Sequence, residues 1–510
     1  MSTTAHPVEP PAGDYIEAHT PTTERTGIPD IQVTVESPVV HPSEARMNVK
    51  PTYVLYTSCF LGLLIPLQYG WSTSQLNYSK FNRKADCDAR PVADGTCIMF
   101  SGHTKLQWIF VVNAWIFGGM VGALTVGRFS DRLGRKRVMQ SICLLIITGA
   151  IIMASSFNLK QFVVGRFIAG LASGATTGVF GGYTNEIAPP SMRALLGVIL
   201  QSGNSIGIIL VASTFFYLDF EGGWRIIACG PILLAGGFLA LSPFFVVESP
   251  VWLLLKGRHQ EAEEVLTRLY GKENVPTALG WLEHKVNRNA DTESVSKALT
   301  FRDLISPKLR RQFIIGVGLA CMQKITGINT VFYYSSDTFV QAGIKDGRIG
   351  TIIAGFVISI PTCISGVFAR RYGNRPMLLT SVAGMLASAI GITLALTYEI
   401  QWLTVLFMCT YVGTFGLSLG PVLYVIIADV VPDYARARMT SINVFAAWFS
   451  NLCVGIGYPY IASSLNHLQY VPFVVLLVLS LAFVYFIIPE TNGKTNDEIQ
   501  EEFRLLRERH

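Results

Sequence analysis

Glu186-Ile-Ala-Pro189-Pro-Ser-Met-Arg193 and Asp429-Val-Val-Pro432-Asp-Tyr-Ala-Arg436 share one spacing: a carboxylate, a proline three residues on, and an arginine four residues after that. Two further pairs stand at the same offset of about 240 residues: Arg132-Leu-Gly134-Arg-Lys136 with Arg371-Tyr-Gly373-Asn-Arg375, and Glu248-Ser-Pro with Glu490-Thr. One such match could arise by accident. Three pairs at one offset mark a duplication, and parallel repeats in a membrane protein imply two bundles around a site near the midplane.

The runs preceding these motifs are long and apolar. Of 510 residues, 50% are hydrophobic and only 15% charged, with a mean hydropathy of +0.42. Soluble domains carry charge on roughly a quarter of their residues. A helix crossing about 30 Å of hydrocarbon needs about 20 apolar residues. Twelve runs of that kind are legible: Tyr53–Gln75, Gln107–Val126, Val138–Phe157, Phe162–Tyr183, Leu195–Leu218, Arg225–Val247, Phe313–Ser335, Ile349–Phe368, Met377–Leu396, Trp402–Ala428, Thr440–Ile461 and Val471–Ile488. The fold class is therefore an all-α membrane protein, with twelve transmembrane helices in two pseudo-symmetric six-helix bundles. Residues 1–50 are rich in Pro, Thr and Glu and lack apolar periodicity, so they read as a disordered tail. That tail is too polar for a cleaved signal, which leaves insertion to the first run.

Basic residues set the orientation. Arg128, Arg132, Arg135, Lys136 and Arg137 fall between the second and third runs, and Arg370, Arg371, Arg375, Arg436, Arg438 and the segment Lys256–Arg311 fall on the same side. The opposite loops hold few bases, apart from Asp86–Lys105, where acids offset them. The bias predicts cytosolic termini. The chain then divides into an N-terminal tail (1–50), a first bundle (51–248), a cytosolic link (249–311), a second bundle (312–488) and a C-terminal tail (489–510).

Most of the nine cysteines sit inside apolar runs as small apolar residues. Cys87 and Cys97 share the first outward loop, where a disulfide and two free thiols are both open readings. Asn77-Tyr-Ser79 is a formal glycosylation sequon, but it lies too close to a span end for glycan addition.

The duplicated loop motifs place carboxylates and guanidinium groups at the ends of neighbouring helices, where partly desolvated bidentate pairs can form and break. Asp131, Arg132, Arg135, Glu186, Arg193 and Glu248 are candidate members of one inner gate, with Asp429 and Arg436 in the other half. The plain alternative gives these charges a topological role only. Arg166, inside the fourth run, is costly in lipid and should face another helix or water.

Four stretches carry a family resemblance: Gly127-Arg-Phe-Ser-Asp131-Arg-Leu-Gly-Arg-Lys136, Glu248-Ser-Pro-Val-Trp252-Leu, Ile325-Thr-Gly-Ile-Asn329-Thr-Val-Phe-Tyr-Tyr334 and Pro489-Glu-Thr-Asn-Gly-Lys494-Thr. Together they resemble the signatures of the sugar-porter family of the major facilitator superfamily, which contains facilitative glucose transporters and proton-linked hexose and polyol symporters. The resemblance implies alternating access in a twelve-helix fold, with a small cytosolic helical domain, including Glu261–Leu269 and Phe301–Arg311, linking the halves. It implies a sugar or polyol substrate in a lipid bilayer, with protons as a further candidate partner and neither cofactor nor metal.

The resemblance also points to a sugar site. Gln201 matches a family glutamine, with Asn204, Ser205 and Ile208 on the same helical face. Gln323 matches the first residue of a Gln-Gln pair, and Asn329 a family asparagine. Tyr424 stands where facilitators often carry tryptophan, Ser359 where an asparagine is usual, and Trp448 and Asn451 keep the eleventh-run pattern. Amides can meet sugar hydroxyls as donor and acceptor, while aromatics cover the C–H face. Interhelical hydrogen bonding competes with that reading for Asn204, Ser205, Asn443 and Asn451.

Two departures matter. Lys324 replaces the second glutamine of the pair; an anionic substrate, a neutral sugar beside a lysine of lowered pKa, and an ammonium turned to a polar helix end are the readings open. Ser72 follows Gly70-Trp71 where symporters place an aspartate, which favours facilitated diffusion over proton symport. In the second half Arg370 replaces a usual acid and Asn374 a usual base, so that half of the gate should be weaker. A membrane enzyme would need a cluster of titratable groups, and the eight histidines are scattered through tails and loops. A non-transporting sugar sensor remains the rival, although such sensors carry longer C-terminal tails. Glu501-Glu-Phe-Arg-Leu505-Leu506 reads either as an acidic dileucine sorting signal or as one side of a short amphipathic helix. The plasma membrane is the first expected location, with vacuolar or endosomal membrane next.

Overall fold

A computed structural model describes residues 49–82, 84–282, 301–341, 346–494 and 496–508. The expected N-terminal tail, up to residue 48, and residues 283–300 of the link lie outside that set. Among the described residues the regular structure is helical, with no strand.

The twelve spans are Tyr53–Ser74, Lys105–Leu133, Arg135–Ala154, Leu159–Ile187, Leu195–Thr214, Gly223–Phe245, Arg310–Tyr333, Gly347–Tyr372, Asn374–Thr397, Gln401–Val430, Arg438–Leu468 and the shorter Val471–Ile487. They are numbered first to twelfth below. Each overlaps an expected run, but several helices continue beyond their apolar stretch. The second reaches Leu133, so Arg128, Asp131 and Arg132 ride on helix rather than in a loop. Backbone hydrogen bonding continues where lipid stops. For the same reason Glu186, Asp429, Arg370 and Arg371 lie in the last turns of their helices, and Arg135 opens the third.

The joins between helices are tight. Only Gly134 separates the second span from the third, and only Gly373 the eighth from the ninth; their φ values of +93° and +92° are accessible mainly to glycine. Thr104 opens the second span with a capping box, its hydroxyl accepting from Gln107 N while the Gln107 side chain accepts from Thr104 N. Asn158 Oδ1 caps the fourth, accepting from Gln161 N at 2.9 Å.

Small residues let the helices approach. A Cβ added at Gly118, Gly122 or Gly170 would come within 2.1 Å of backbone oxygen on the facing second or fourth span. The halves meet along the second and eleventh spans and along the fifth and eighth. Large apolar side chains such as Phe60, Leu233 and Phe486 stand exposed on the outside, as a lipid-facing surface requires.

On the side that carries both ends of the described chain, here the terminal side, the described part of the link includes the helices Pro250–Leu255, His259–Tyr270 and Phe301–Leu304 and the helical residues 275–282. Ala262, Leu266, Leu269 and Tyr270 are buried, and Thr52 N donates to Leu269 O at 2.8 Å. The last helix, Asn496–Glu508, docks on the second half: Ile499 and Phe503 are buried and Gln500 Nε2 donates to Val430 O at 2.8 Å. Leu505 is exposed and Leu506 half-buried on this helix. On the opposite side Cys87 and Cys97 are bridged, with Cα atoms 5.1 Å apart.

Candidate functional site

Two spans of the second half are broken at one level. The seventh stops at Ile325, turns at Gly327 (φ +82°) and restarts at Ile328. The tenth passes through one π-helical turn, Phe415–Leu419, before Gly420 and Pro421. Breaks free backbone groups that lipid cannot satisfy. Here each break is covered by a side chain from the other helix: the Tyr411 hydroxyl donates to Thr326 O, and Gln323 Nε2 donates to Leu419 O at 3.3 Å and Gly420 O at 3.0 Å. Tyr424 then donates to Gln323 Oε1 at 2.9 Å. Gln323 is thus buried and joined to the tenth span at both ends of its amide.

A second polar chain lies between the seventh and eleventh spans. Asn329 Nδ2 donates to Asn451 Oδ1 at 2.7 Å, and Asn451 Nδ2 donates to the Tyr333 oxygen at 2.9 Å. Facing it from the first half is an aromatic group. Tyr69 stacks on Trp115 with ring centres 5.6 Å apart, and Trp448 sets its edge against both, at 6.0 and 5.4 Å. Trp448 belongs to the second half yet donates to Thr177 Oγ1 at 3.4 Å across the interface. The Tyr69 hydroxyl is within electrostatic reach of Tyr333 and Tyr424. Polar groups of one half and rings of the other therefore surround one centre.

From the fifth span, Gln201 is half-buried and its side chain has no hydrogen-bond partner among the described residues. Asn204 is buried with Oδ1 unpartnered, and Ser205 is turned back onto Gln201 O. Ser359 likewise bonds its own helix, at Gly355 O. Lys324 is half-buried and makes no hydrogen bond or ion pair with a described residue. Arg166, 1% exposed, donates to Ser72 O at 2.9 Å and lies over the Trp115 ring at 5.5 Å. Its Nε is unpartnered, and no described carboxylate pairs with it.

At the terminal side of the first half, Arg135 grips Glu186 with two hydrogen bonds, Nε to Oε2 at 2.9 Å and a terminal nitrogen to Oε1 at 3.0 Å. Asp131 adds a longer contact at 3.5 Å. Glu248 Oε1 accepts from the backbone N–H groups of Arg135 (2.8 Å), Lys136 (3.1 Å) and Ser249 (2.9 Å), so the carboxylate sits on the N-terminus of the third span. The structure brings together four of the six candidates. Arg132 is exposed and Arg193 half-buried, and neither forms an ion pair with a described residue; burial pushes the Arg193 guanidinium below its ordinary pKa.

The second half repeats the backbone part. Glu490 accepts from Asn374 N at 3.0 Å and Arg375 N at 3.1 Å. Asn374 Nδ2 donates to Thr491 Oγ1 at 2.8 Å, the Thr491 hydroxyl bonds Asp429, and the Arg436 charge acts on Asp429. Asp429, Asn374 and Arg370 line a cavity of about 200 Å³ that Val198 of the first half also borders. Arg370 crosses the halves to donate to Ser191 O at 2.9 Å.

The disulfide side is joined across the halves by charges that the sequence reading passed over. Lys80 bonds both oxygens of Asp219, at 2.9 and 2.8 Å. Arg348 of the eighth span reaches Asp219 at 3.3 Å, Asp346 at 2.6 Å and Phe215 O at 2.9 Å. Burial alone would raise the Asp219 carboxyl, but hydrogen bonds from Lys80 and Tyr78 and the charges of Lys80 and Arg348 bring it below its ordinary value. Hydrogen bonding from Arg348 lowers Asp346 in the same direction. Tyr69 and Trp115 were also passed over, their sequence signal being an aromatic residue in a membrane run, which is common; Tyr333 lies inside the Ile325–Tyr334 motif without being singled out there.

A model of the sugar (and other) transporter family matches residues 54–503. The chain is 33% identical over 413 residues to facilitated glucose transporter member 1 of solute carrier family 2 from Gallus gallus, covering 78% of this chain and 82% of the relative. It is 30% identical over 476 residues to member 4 from Mus musculus, covering 90% and 92%. Among solved structures, the inward-open xylose transporter XylE from E. coli superposes with a TM-score of 0.72 at 23% identity, covering 88% of this chain and 99% of that one. At that identity the likeness carries the fold, the major facilitator arrangement of twelve spans.

Proposed function

We propose, from the premise that this chain belongs to the sugar transporter family, that it carries a monosaccharide, a hexose first, across a membrane by alternating access. The observation that carries the reading is the centre where the two halves meet. There the amides of Asn329 and Asn451 and the hydroxyls of Tyr333 and Tyr424 face the rings of Tyr69, Trp115 and Trp448, and we assign Gln201 and Asn204 of the fifth span to the same centre. Such a site offers donors and acceptors to sugar hydroxyls and flat apolar surface to a ring face. Curated relatives named as glucose transporters and solved relatives named as xylose carriers support the class.

The mode we infer is facilitated diffusion. Arg166 rests on the Ser72 backbone carbonyl, and Ser72 offers no proton to exchange with it. The charged networks of the terminal side form the inner gate, and the Lys80–Asp219–Arg348 group forms the outer one. Basic loops make the terminal side cytosolic, and the plasma membrane is the first location to test. Radiolabelled glucose uptake into proteoliposomes, with and without a proton gradient, tests the reading. Uptake indifferent to the gradient supports it; uptake only with the gradient overturns the mode, and absence of glucose uptake overturns the hexose assignment.

A further inference from the structure

Lys324 has a defined direction. It lies in the last turn before the break of the seventh span, one residue after Gln323. On the same helix Gln323 reaches the tenth span, Cys321 Sγ lies 4.0 Å from Ala446 O of the eleventh, and Gly318 faces Phe483 of the twelfth. At about 100° per residue, Lys324 falls between the directions of Gln323 and Cys321 and well away from Gly318. That places it toward the tenth and eleventh spans rather than toward the twelfth. It is half-buried there, and neither a carboxylate nor a carbonyl among the described residues receives its ammonium group. The reading in which the side chain turns to a polar helix end finds no such contact. Arg166, near Tyr333, is a second cation without a described carboxylate. An ammonium in the interior of a membrane bundle is costly unless an anion or water compensates it.

We propose that Lys324 makes this centre accept monosaccharide acids: the carboxylate of a uronate or aldonate pairs with the ammonium while the hydroxyls occupy the amide and tyrosine groups. The inference rests on the monosaccharide reading above and adds the substrate's charge to it. A glutamine at this position would leave an equally polar site for neutral sugars, so the lysine discriminates by charge rather than by shape.

Glucose and glucuronate, which differ only at C6, are the probes. Uptake of each into proteoliposomes is compared for the wild type, Lys324→Gln and Lys324→Arg. Expected are glucuronate uptake by the wild type, competition between glucuronate and glucose, and a loss of acid uptake of at least about tenfold in Lys324→Gln. Folding of that variant is read independently, from its melting temperature and monodisperse elution after purification, and Lys324→Arg should retain acid uptake. Glucose uptake without glucuronate uptake, or undiminished acid uptake in Lys324→Gln, overturns the inference and leaves the monosaccharide reading standing. Lysine-dependent uptake of the acid without glucose supports the inference and overturns the hexose assignment. Uptake of neither sugar by the wild type overturns both.

Discussion

The terminal-side ends of the two halves are built on one backbone plan and two different side-chain solutions. In each, a glycine with φ above +90° joins two spans, and a glutamate carboxylate from beyond the sixth or twelfth span accepts the first N–H groups of the helix that follows: Glu248 at Arg135 and Lys136, Glu490 at Asn374 and Arg375. An added Cβ on either glycine would press on that carboxylate, at 2.4 Å for Gly134 and 2.8 Å for Gly373. The residue after the glycine then diverges. Arg135 forms a bidentate ion pair with Glu186, whereas Asn374 passes a neutral hydrogen bond to Thr491, which in turn meets Asp429. The carboxylate on a helix end is the part duplication kept. An arginine at the position after the glycine grips a carboxylate in the first half, where the second half has a neutral asparagine, and the halves should release unequally when the inner mouth opens.

The sharpest way to break this comparison is to cut both residues back. Arg135→Ala strands Glu186, only 14% exposed, without its partner. Removing one member of such a pair costs about 3 kcal/mol, so initial sugar uptake should fall at least tenfold. Asn374→Ala loses one neutral hydrogen bond, worth about 1 kcal/mol, and should cost less than about fivefold. Uptake by equal amounts of purified protein in liposomes decides the matter; equal losses would show that the halves are not functionally distinct.

The backbone part predicts the opposite, a symmetric result. Glu248→Gln and Glu490→Gln each remove a negative charge from a helix N-terminus while leaving an acceptor oxygen, at a cost of about 1 kcal/mol. The two variants should lower the melting temperature of the detergent-solubilised protein by similar amounts, a few degrees each. A drop confined to one variant would mean that only one of the two carboxylates supports its helix. A smaller effect, of opposite sign, is expected for Asn374→Arg. It recreates the first half's pattern opposite Asp429 and should raise the melting temperature slightly while slowing uptake, because a second charged pair must then break.

How much of this was legible in sequence follows from what repeats. Twelve apolar runs and three motif pairs carried the fold, because lipid imposes a length on every helix and duplication copied the joins. Arg135 and Glu186 were readable as members of one six-residue network, and the departure at Asn374 was readable as well, because charge chemistry is local to the motif. The break in the tenth span at Phe415–Leu419 was hidden, since a π-helical turn leaves the apolar pattern unaltered. Gln323 was readable as a polar residue in a span but not as the group covering that break, which depends on a helix about 100 residues away. The placement of Arg132 and Arg193 in one network with Glu186 overreached, because a shared loop motif does not say which way each side chain turns. The Lys80–Asp219–Arg348 cluster draws on three separate segments with no motif to join them.

That cluster supplies the smallest expected effect and a further contrast. The Arg135–Glu186 and Asn374–Thr491 contacts each lie within a half, whereas Lys80 and Asp219 belong to the first half and Arg348 and Asp346 to the second. Asp219 and Asp346 are held below the ordinary carboxylate value of 3.8. A lowered pKa means that the ionised, paired form is already complete above that value and is lost only as pH falls through the lower one. Acidifying the disulfide side from pH 7 to 5, as an acidic organelle would, therefore leaves the clasp intact, and uptake by right-side-out vesicles should be flat over that window. Asp219→Asn removes the shared anion of a partly exposed group, an interaction of about 1 kcal/mol or less, and should change uptake by under about fivefold at either pH. A steep loss of wild-type uptake between pH 7 and 5 that disappears in Asp219→Asn would show that the aspartate titrates in that range. The outer clasp, and not the Arg135–Glu186 pair, would then be the charge contact that governs opening.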